Sequence, residues 1–390
     1  MRRRALLVAA NIVAWSAFAL DLRSDGVGPS RWGWDLAILR AGGRLLLEGR
    51  PLYDATEQAR VHAAALRPEL AKFPFAYPPI TAIAVAPLAL VPNAVALALV
   101  AVAGALVLAW AAKRLTDDAT EALWVTASFP GVAAFFAGQL AYAALGLMAA
   151  TYVLMRQGRP FGAGLVASLL AFKPTMLVAI PAALIVRRER ARALSGLALG
   201  LALQAAVCLA LTPGATRAYP QAAASFSAYV REHPERFDSV TWRASFAQLG
   251  AMGGVLALAA MAACAAAALF WMWRWRDDLE IVFATAVLAT LACAWHCLPY
   301  DYVLIGLAAW MLRGRLRSDT GARLAALAVA ASWVVAFVAV PGWRKALLAT
   351  YPPALVAAAV WMLAVSSRDP AGRAGPGSPG PRAGPRTRAA

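Results

Sequence analysis

Charge is scarce in this chain: Asp, Glu, Lys and Arg make up 15 % of its 390 residues, against 62 % hydrophobic residues. Soluble domains carry about 25 % charged residues, so the shortage excludes a soluble globular protein and implies one that lives in a bilayer. Histidine and cysteine are scarce too, with three and four copies. Cys208, Cys264, Cys293 and Cys297 all fall in or at the ends of apolar runs, and the last two have no second pair to complete a metal site. They read as small apolar core residues, and no metal or other cofactor is expected. Asp-x-Asp, Walker and glycine-rich nucleotide fingerprints are lacking, which argues against a nucleotide-sugar donor and the soluble domain it would need. The acidic pairs Asp117-Asp118 and Asp277-Asp278 sit beside basic residues and read as charge balance in short loops.

What the chain has instead is apolar sequence of membrane-crossing length. Its runs and breaks predict an all-α polytopic protein of about twelve crossings, at 5–20, 79–112, 119–137, 140–155, 160–172, 174–187, 191–212, 246–273, 279–297, 299–312, 320–340 and 344–365. The first follows Met1-Arg2-Arg3-Arg4 and reads as a retained helix, since no convincing small-x-small cleavage site follows Leu20. The second would run about 50 Å at 1.5 Å per residue, against a hydrocarbon core of about 30 Å, so it must tilt, kink near Pro92-Asn93 or divide in two. With one net crossing there, Arg2 to Arg4, Lys113-Arg114, Arg156 with Arg159, Arg187 to Arg192, Arg274 with Arg276 and Arg313 to Arg317 share one side. The positive-inside rule makes that side the cytoplasm, with both termini in it. The net charge of +17 is thus an orientation signal, and no nucleic-acid partner is expected. A transmembrane domain is expected over 1–365, with long outer loops at 21–78 and 213–245. The Gly/Pro/Arg tail 366–390 is too poor in apolar residues to fold, and its arginines are placed to touch anionic membrane lipid.

Chemistry-bearing residues gather on the opposite side. Asp35 stands in Trp32-Gly33-Trp34-Asp35-Leu36, at the head of a run in which Leu36, Leu39, Leu46 and Leu47 alternate with Arg40, Arg44 and Glu48 at helical spacing. A helix lying in the interface plane fits this pattern. Asp35 is then either its N-cap or a carboxylate poised to act on something the membrane presents, while Trp32 and Trp34 read as interfacial anchors. Lys173 interrupts an apolar run, which is costly unless it lines a cavity or meets an anion; beside Pro174 it also reads as a snorkelling end residue. His296, at the outer end of a span, suits a phosphate or acceptor contact as well as a structural role. Arg243, in Thr241-Trp242-Arg243-Ala244-Ser245, suits bidentate phosphate binding or simple solvation. Gln139 reads as a sugar-hydroxyl partner or a link between helices. Tyr300 and Asp301 read as caps of the next span, or Asp301 as the group that holds His296 in one tautomer.

The order of these signals resembles glycosyltransferase family 87 over most of residues 1–365: an early Asp35, Gly49-Arg50-Pro51-Leu52-Tyr53, Tyr77-Pro78-Pro79, Gly138-Gln139, Lys173-Pro174, and His296 followed by Tyr300-Asp301. Two places depart from the family's pattern. Gly138-Gln139-Leu140-Ala141 lacks the Asn that commonly follows, and Trp295-His296-Cys297 holds one histidine where some members hold a pair. The resemblance implies a GT-C-type integral membrane glycosyltransferase that moves a hexose, mannose foremost, from a polyprenyl-phosphate donor to a glycolipid or glycan acceptor. The reaction would occur on the extracytoplasmic face of a bacterial plasma membrane. It also implies Asp35 as the general base; Lys173, His296 and Arg243 are the expected donor-phosphate ligands, and Gln139, Tyr77, Tyr300 and Asp301 the expected substrate contacts. Because prenyl phosphate is a competent leaving group, one base and cationic stabilisation suffice, and inverting displacement needs no second carboxylate as nucleophile. The rival from another class is a transporter or lipid flippase without glycosyl transfer, which would set broken helices and polar residues near the midplane, often in repeated halves. No repeat is seen. A scaffold for envelope synthesis would leave Asp35, Lys173 and His296 without a shared role.

Overall fold

The computed structural model describes residues 2–24, 32–65, 73–232, 239–314 and 350–367. The expected span 320–340, the start of 344–365 and the tail from 368 lie outside the described residues. Every regular element among those described is helical. Helix α1 (Arg2–Ser24) precedes α2 (Trp34–Leu47) and α3 (Ala55–Ala65) of the first long loop.

Proline decides where many of the later helices start and stop. The long run 79–112 divides into α4 (Pro79–Ala89) and α5 (Asn93–Thr116), because Pro92 has no N–H for a continuing helix and disfavours helical geometry in the residue before it. The run 119–137 becomes a 3-10 turn (Ala119–Glu121), α6 (Ala122–Ala127) and α7 (Phe129–Ala137), with Pro130 in the first turn of α7. There the missing N–H costs nothing, since it is one of the unpaired donors of a helix start. Helix α8 (Ala141–Arg156) then leaves α7 at a bend of 115°. Next come α9 (Pro160–Ser168), two 3-10 turns (Leu169–Phe172 and Pro174–Met176), α10 (Ile180–Ile185) and α11 (Arg190–Leu211). The second long loop holds α12 (Pro213–Glu232) and α13 (Trp242–Ser245), and α14 (Gly250–Arg274), α15 (Leu279–Ala292), a 3-10 turn (Pro299–Val303), α16 (Leu304–Met311) and α17 (Tyr351–Ser367) complete the described chain.

Three of these helices are long and apolar enough to cross a bilayer: α5, α11, and α14 with the turn before it. The bent α7–α8 pair makes a fourth if it counts as one span. The described residues therefore do not bear out twelve separate crossings. An 11-residue helix such as α4 covers about 16 Å at 1.5 Å per residue, half the hydrocarbon thickness. The three long helices turn apolar side chains outward, among them Leu99, Val102 and Leu106 of α5, Leu203 and Leu211 of α11, and Val255, Leu258 and Phe270 of α14. Acyl chains are the solvent that suits such faces, since the helix pairs its own backbone groups internally. Helix α15 is the opposite case, buried at every position from Ile281 to Ala292 and packed against α8, α10, α14, α16 and α17. Helices α9 and α11 approach so closely that a Cβ on Gly164 would stand 1.8 Å from the Ala193 carbonyl oxygen, and one on Gly196 2.0 Å from that of Phe161. Small residues at such crossings let two backbones touch where lipid offers no hydrophobic drive.

Polar contacts sort the helix ends into two groups. Arg4 lies 3.7 Å from Asp118, Arg156 donates to the Arg114 carbonyl, and Arg313 pairs with Glu121 and donates to the Thr116 carbonyl. Arg187 donates to the Arg276 carbonyl, and Arg188 pairs with Asp277. The basic loops expected to share one side thus contact one another in these groups. At the opposite end of α5, Asn93 accepts from Arg40 of α2, and just before α8 Gln139 reaches Tyr300.

The first loop has a small core of its own, built from Leu39 and Leu45 of α2, Val61 of α3, Phe75, and Ala82 and Val85 of α4. Buried Gln58 ties it together, donating to the Leu52 carbonyl at 2.8 Å and accepting from the Phe75 N–H at 2.9 Å. Arg40, expected on the polar face beside Arg44 and Glu48, turns instead into the break between α4 and α5. Its guanidinium donates to the Leu88 carbonyl (2.9 Å), to Asn93 Oδ1 (2.8 Å) and to the Val91 carbonyl. A helix end leaves carbonyls without partners, and one arginine satisfies two of them here. Trp32 is not a free interfacial anchor; its ring stands edge-on to Phe136 at 4.6 Å.

Candidate active site

Two glycines in left-handed conformation bring the first loop against the α7–α8 bend. Gly33 (φ 78°) ends the approach to α2 and donates its N–H to the Phe136 carbonyl at 2.7 Å. Gly138 (φ 69°) ends α7. A Cβ on Gly138 would fall 2.6 Å from Leu36 Cβ and 3.4 Å from Gly33 Cα, so glycine serves there both for its φ and for its lack of a side chain. This contact sets the first turn of α2 beside Gln139. Asp35 does not cap the helix: Gly33 occupies the N-cap position, no side chain bonds the first N–H groups, and Asp35 lies inside the first turn. Its carboxyl group is therefore not committed to backbone, while the unpaired N–H groups of the helix start favour negative charge near it.

The middle and late motifs converge on the same place. Pro174 opens the second of two 3-10 turns, and the Phe172 carbonyl at the end of the first is held by Thr81 Oγ1 of α4 at 2.7 Å. Lys173 follows, 7 % exposed, and its Nζ donates to Oδ1 of Asp301, 1 % exposed, at 2.5 Å. The other carboxylate oxygen of Asp301 accepts the Leu298 N–H at 3.1 Å. Both Asp301 oxygens are thus engaged, one by the Lys173 ammonium and one at the start of the 3-10 turn. Next to it Tyr300 receives a hydrogen bond from Gln139 Nε2 at 2.8 Å, and the Lys173 ammonium stands 5.5 Å from the centre of the Tyr300 ring. Tyr77, leading into α4, is near enough to Gln139, Asp35 and Lys173 to interact electrostatically with all three.

His296 lies beyond the end of α15, in the loop that Val240 and Tyr302 pin by hydrogen bonds from Val240 N–H to the Cys297 carbonyl (3.0 Å) and from the Tyr302 hydroxyl to the Val240 carbonyl (3.2 Å). Its ring stands edge-on to Phe226 of α12 at 5.4 Å. Arg243 lies at the rim, its guanidinium 4.4 Å from the ring centre of Trp295. All eight residues singled out in the sequence therefore form one connected region. Phe226 and Trp295 were not singled out; in the sequence they are two aromatics among many in a membrane protein, and only their contacts with His296 and Arg243 mark them.

Electrostatics separate the members of this cluster. Burial raises the Asp35 carboxyl to about 6; the Gln139 amide, the Tyr300 hydroxyl and the Lys173 ammonium lower it, and Asp301 adds a raising contribution. Asp35 Oδ2 is buried without a hydrogen-bond partner among the described residues. His296 moves the other way: burial first, then Lys173, push it down to about 4. It is therefore a neutral imidazole near pH 7, able to donate one hydrogen bond and accept another. Lys173 is neutralised by Asp301, whereas Arg243 has no carboxylate partner among the described residues.

The acidic pairs at the other end do structural work. Asp118 accepts from Thr120 N–H at 2.9 Å and starts a 3-10 turn, and Asp278 accepts from Ile281 N–H at 3.2 Å and caps α15. Among the described residues no group of three or more His, Cys, Asp or Glu side chains is placed to hold a metal ion.

The sequence model of glycosyltransferase family 87 matches residues 75–299, more than half of the chain. No curated protein and no solved structure matches it. The matched stretch carries Tyr77, Gln139, Lys173, Arg243 and His296, while Asp35, Tyr300 and Asp301 lie outside it and join through the contacts above. With its apolar helices and its cluster of buried polar groups, this chain belongs to glycosyltransferase family 87 and is a membrane glycosyltransferase.

Proposed function

We propose that the chain transfers a hexose, mannose in the first instance, from a polyprenyl-phosphate sugar to a hydroxyl of a glycolipid or glycan on the extracytoplasmic face of the membrane. The single observation that carries this reading is the Asp35 carboxylate, whose buried Oδ2 has no hydrogen-bond partner among the described residues and which lies beside Gln139 and Tyr300, within the electrostatic reach of Lys173. A base poised near neutral pH suits removal of a proton from a hydroxyl as it attacks. Asp35 takes the acceptor proton, the acceptor oxygen bonds to the sugar C1, and the bond from C1 to the phosphate oxygen breaks. The electron pair leaves with the prenyl phosphate, and the anomeric centre inverts.

Arg243 and His296 face the departing phosphate in this reading, Arg243 with no carboxylate partner among the described residues and neutral His296 as a hydrogen-bond donor. Lys173 stands behind them, its charge shared with Asp301 but still felt by both Asp35 and His296. The prenyl tail lies in the bilayer, alongside outward apolar faces such as that of α11. Tyr77 and Gln139 border the sugar. The basic loops at the opposite end, with both termini, face the cytoplasm.

The test is transfer from radiolabelled polyprenyl-phosphate mannose by the purified protein in lipid or detergent, comparing wild type with Asp35→Asn. A fall of about 10²–10⁴-fold in the variant is expected for loss of a general base; equal turnover would sink the assignment. No turnover by wild type with mannose, glucose or arabinose donors would transfer the weight to a lipid or solute transporter.

A further inference from the structure

A cleft of about 450 Å³ opens at the basic end of the bundle, where α8 ends and α9 and α11 begin. Its volume falls in the range of small-ligand sites, about 300–1,000 Å³. Leu154, Pro160 and Phe161 give it apolar walls, and Arg159 and Arg192 line it with them. Helix α8 runs from the Gln139 bend to Arg156, so the cleft is at the other end of the molecule from Asp35 and outside the candidate active site.

The two guanidiniums set this cleft apart from the loops around it. Arg4, Arg187, Arg188 and Arg313 at the same end each meet a carboxylate at 3.2–3.9 Å. Arg159 and Arg192 have no carboxylate partner among the described residues. Glu189, the acidic residue nearest to Arg192 in sequence, lies 3.9 Å from Arg187 instead. Two like charges on one cleft repel each other unless an anion comes between them, and the guanidinium fork matches phosphate oxygens.

Depth in the membrane selects the kind of phosphate. Helix α11 is one of those long and apolar enough to cross a bilayer, and Arg192 is in its first turn, so the cleft stands where that span leaves the hydrocarbon. Leu199 and Leu203 follow Arg192 on the same helical face, and both are exposed, as is Phe161 at the cleft itself. Helices α9 and α11 run parallel, since the backbone of Phe161 meets Gly196 and the side chain of Ser168 meets Gly200. The apolar stripe therefore leads from the two arginines down beside the α9–α11 contact. Charge at the surface with an apolar path below it is the complement of a phospholipid. We propose that the cleft binds one anionic phospholipid, its phosphate between Arg159 and Arg192 and an acyl chain along Leu199 and Leu203.

Native mass spectrometry of the purified full-length protein in detergent tests this, with titration of phosphatidylglycerol against zwitterionic phosphatidylcholine. The wild type should hold one phosphatidylglycerol about 10- to 30-fold more tightly than phosphatidylcholine, the preference expected of two basic residues at a headgroup. Arg159→Gln with Arg192→Gln should abolish that preference. Arg188→Gln with Arg190→Gln removes the same charge from positions outside the cleft and should leave it in place. An equal loss in both double variants would overturn the proposal and leave only diffuse attraction to a basic surface. Excess inorganic phosphate should not displace the bound lipid; if it does, the cleft is a site for soluble phosphate and the proposal fails. Equal binding of the two lipids by the wild type overturns it as well, and that comparison needs no variant to fold. Arg159→Lys with Arg192→Lys keeps both charges and should keep most of the preference, and thermal unfolding of each variant in the same detergent separates lost binding from lost folding.

Discussion

The two ends of the helix bundle use the same residue types under opposite conditions. At the basic end Arg188 and Asp277 meet at 3.2 Å with side chains 85 % and 67 % exposed. At the site end Lys173 and Asp301 meet at 2.5 Å with side chains 9 % and 1 % exposed. An exposed pair gives up little hydration and is worth about 0–1 kcal/mol. A buried pair has lost its water, so each partner depends on the other, and removing one costs about 3–5 kcal/mol. The comparison separates charges that sit in the chain's loops from charges that the fold has to keep together. The second kind surrounds the proposed base.

The largest effect that would sharpen this contrast is at Asp35. Its carboxyl is raised to about 6 from an unfolded value of 3.8, so the folded state holds the proton more tightly than the unfolded one. The ionised form therefore costs stability, starting as pH rises above 3.8 and in full above about 6. Asp35→Asn should lose turnover by the 10²–10⁴-fold given above, yet unfold at an equal or higher temperature at neutral pH. The stability difference should vanish below pH 4. A variant that is both inactive and less stable at neutral pH would show that Asp35 has a structural partner. In the wild type, turnover should rise with pH through about 6 as the base loses its proton.

Next in size is the buried pair. Lys173→Met alone should cost about 3–5 kcal/mol in reversible unfolding, and Lys173→Met with Asp301→Leu should regain most of it. Additive losses would mean that the pair is not coupled. Arg40→Met should cost about 1.5–3 kcal/mol, because it leaves the carbonyls at the α4–α5 break without a charged donor. At the basic end, Arg188→Ala should change stability by at most about 0.5 kcal/mol, measured in the same unfolding assay. A larger loss there would erase the distinction between the two ends.

Much of the candidate site was legible in the sequence, and for one reason. A charged or strongly polar residue in an apolar setting is costly, so Asp35, Lys173 and His296 stood out wherever their partners lay. Their roles were less legible. Asp35 looked like a cap because it follows Gly-Trp at the head of an amphipathic run, but the helix starts one residue earlier and Gly33 takes the cap position. Arg40 fitted the polar face by spacing and instead closes the α4–α5 break. Asp301 read either as a cap or as the group that holds His296, and its ion-pair partner Lys173, 128 residues away, was not legible. The helix count is not confirmed where proline cuts apolar runs, since a run shows that a segment belongs in lipid but not how many pieces it makes. The division of 79–112 was visible as one option, because Pro92 marks it.

The sequence by itself determined the solvent, the helical class and the cast of polar residues. Transfer into a bilayer is a sum of local contributions, and a backbone in hydrocarbon must pair its own groups, so composition and apolar runs decide both without knowledge of distant contacts. Tertiary structure decided which polar groups meet. Gln139 and Tyr300 are 161 residues apart, and their bond exists because the 3-10 turn Pro299–Val303 packs against α7, while two left-handed glycines seat α2 against the same α7–α8 bend. Whether Asp35 keeps a bare oxygen depends on that packing, and no periodicity in the chain encodes it.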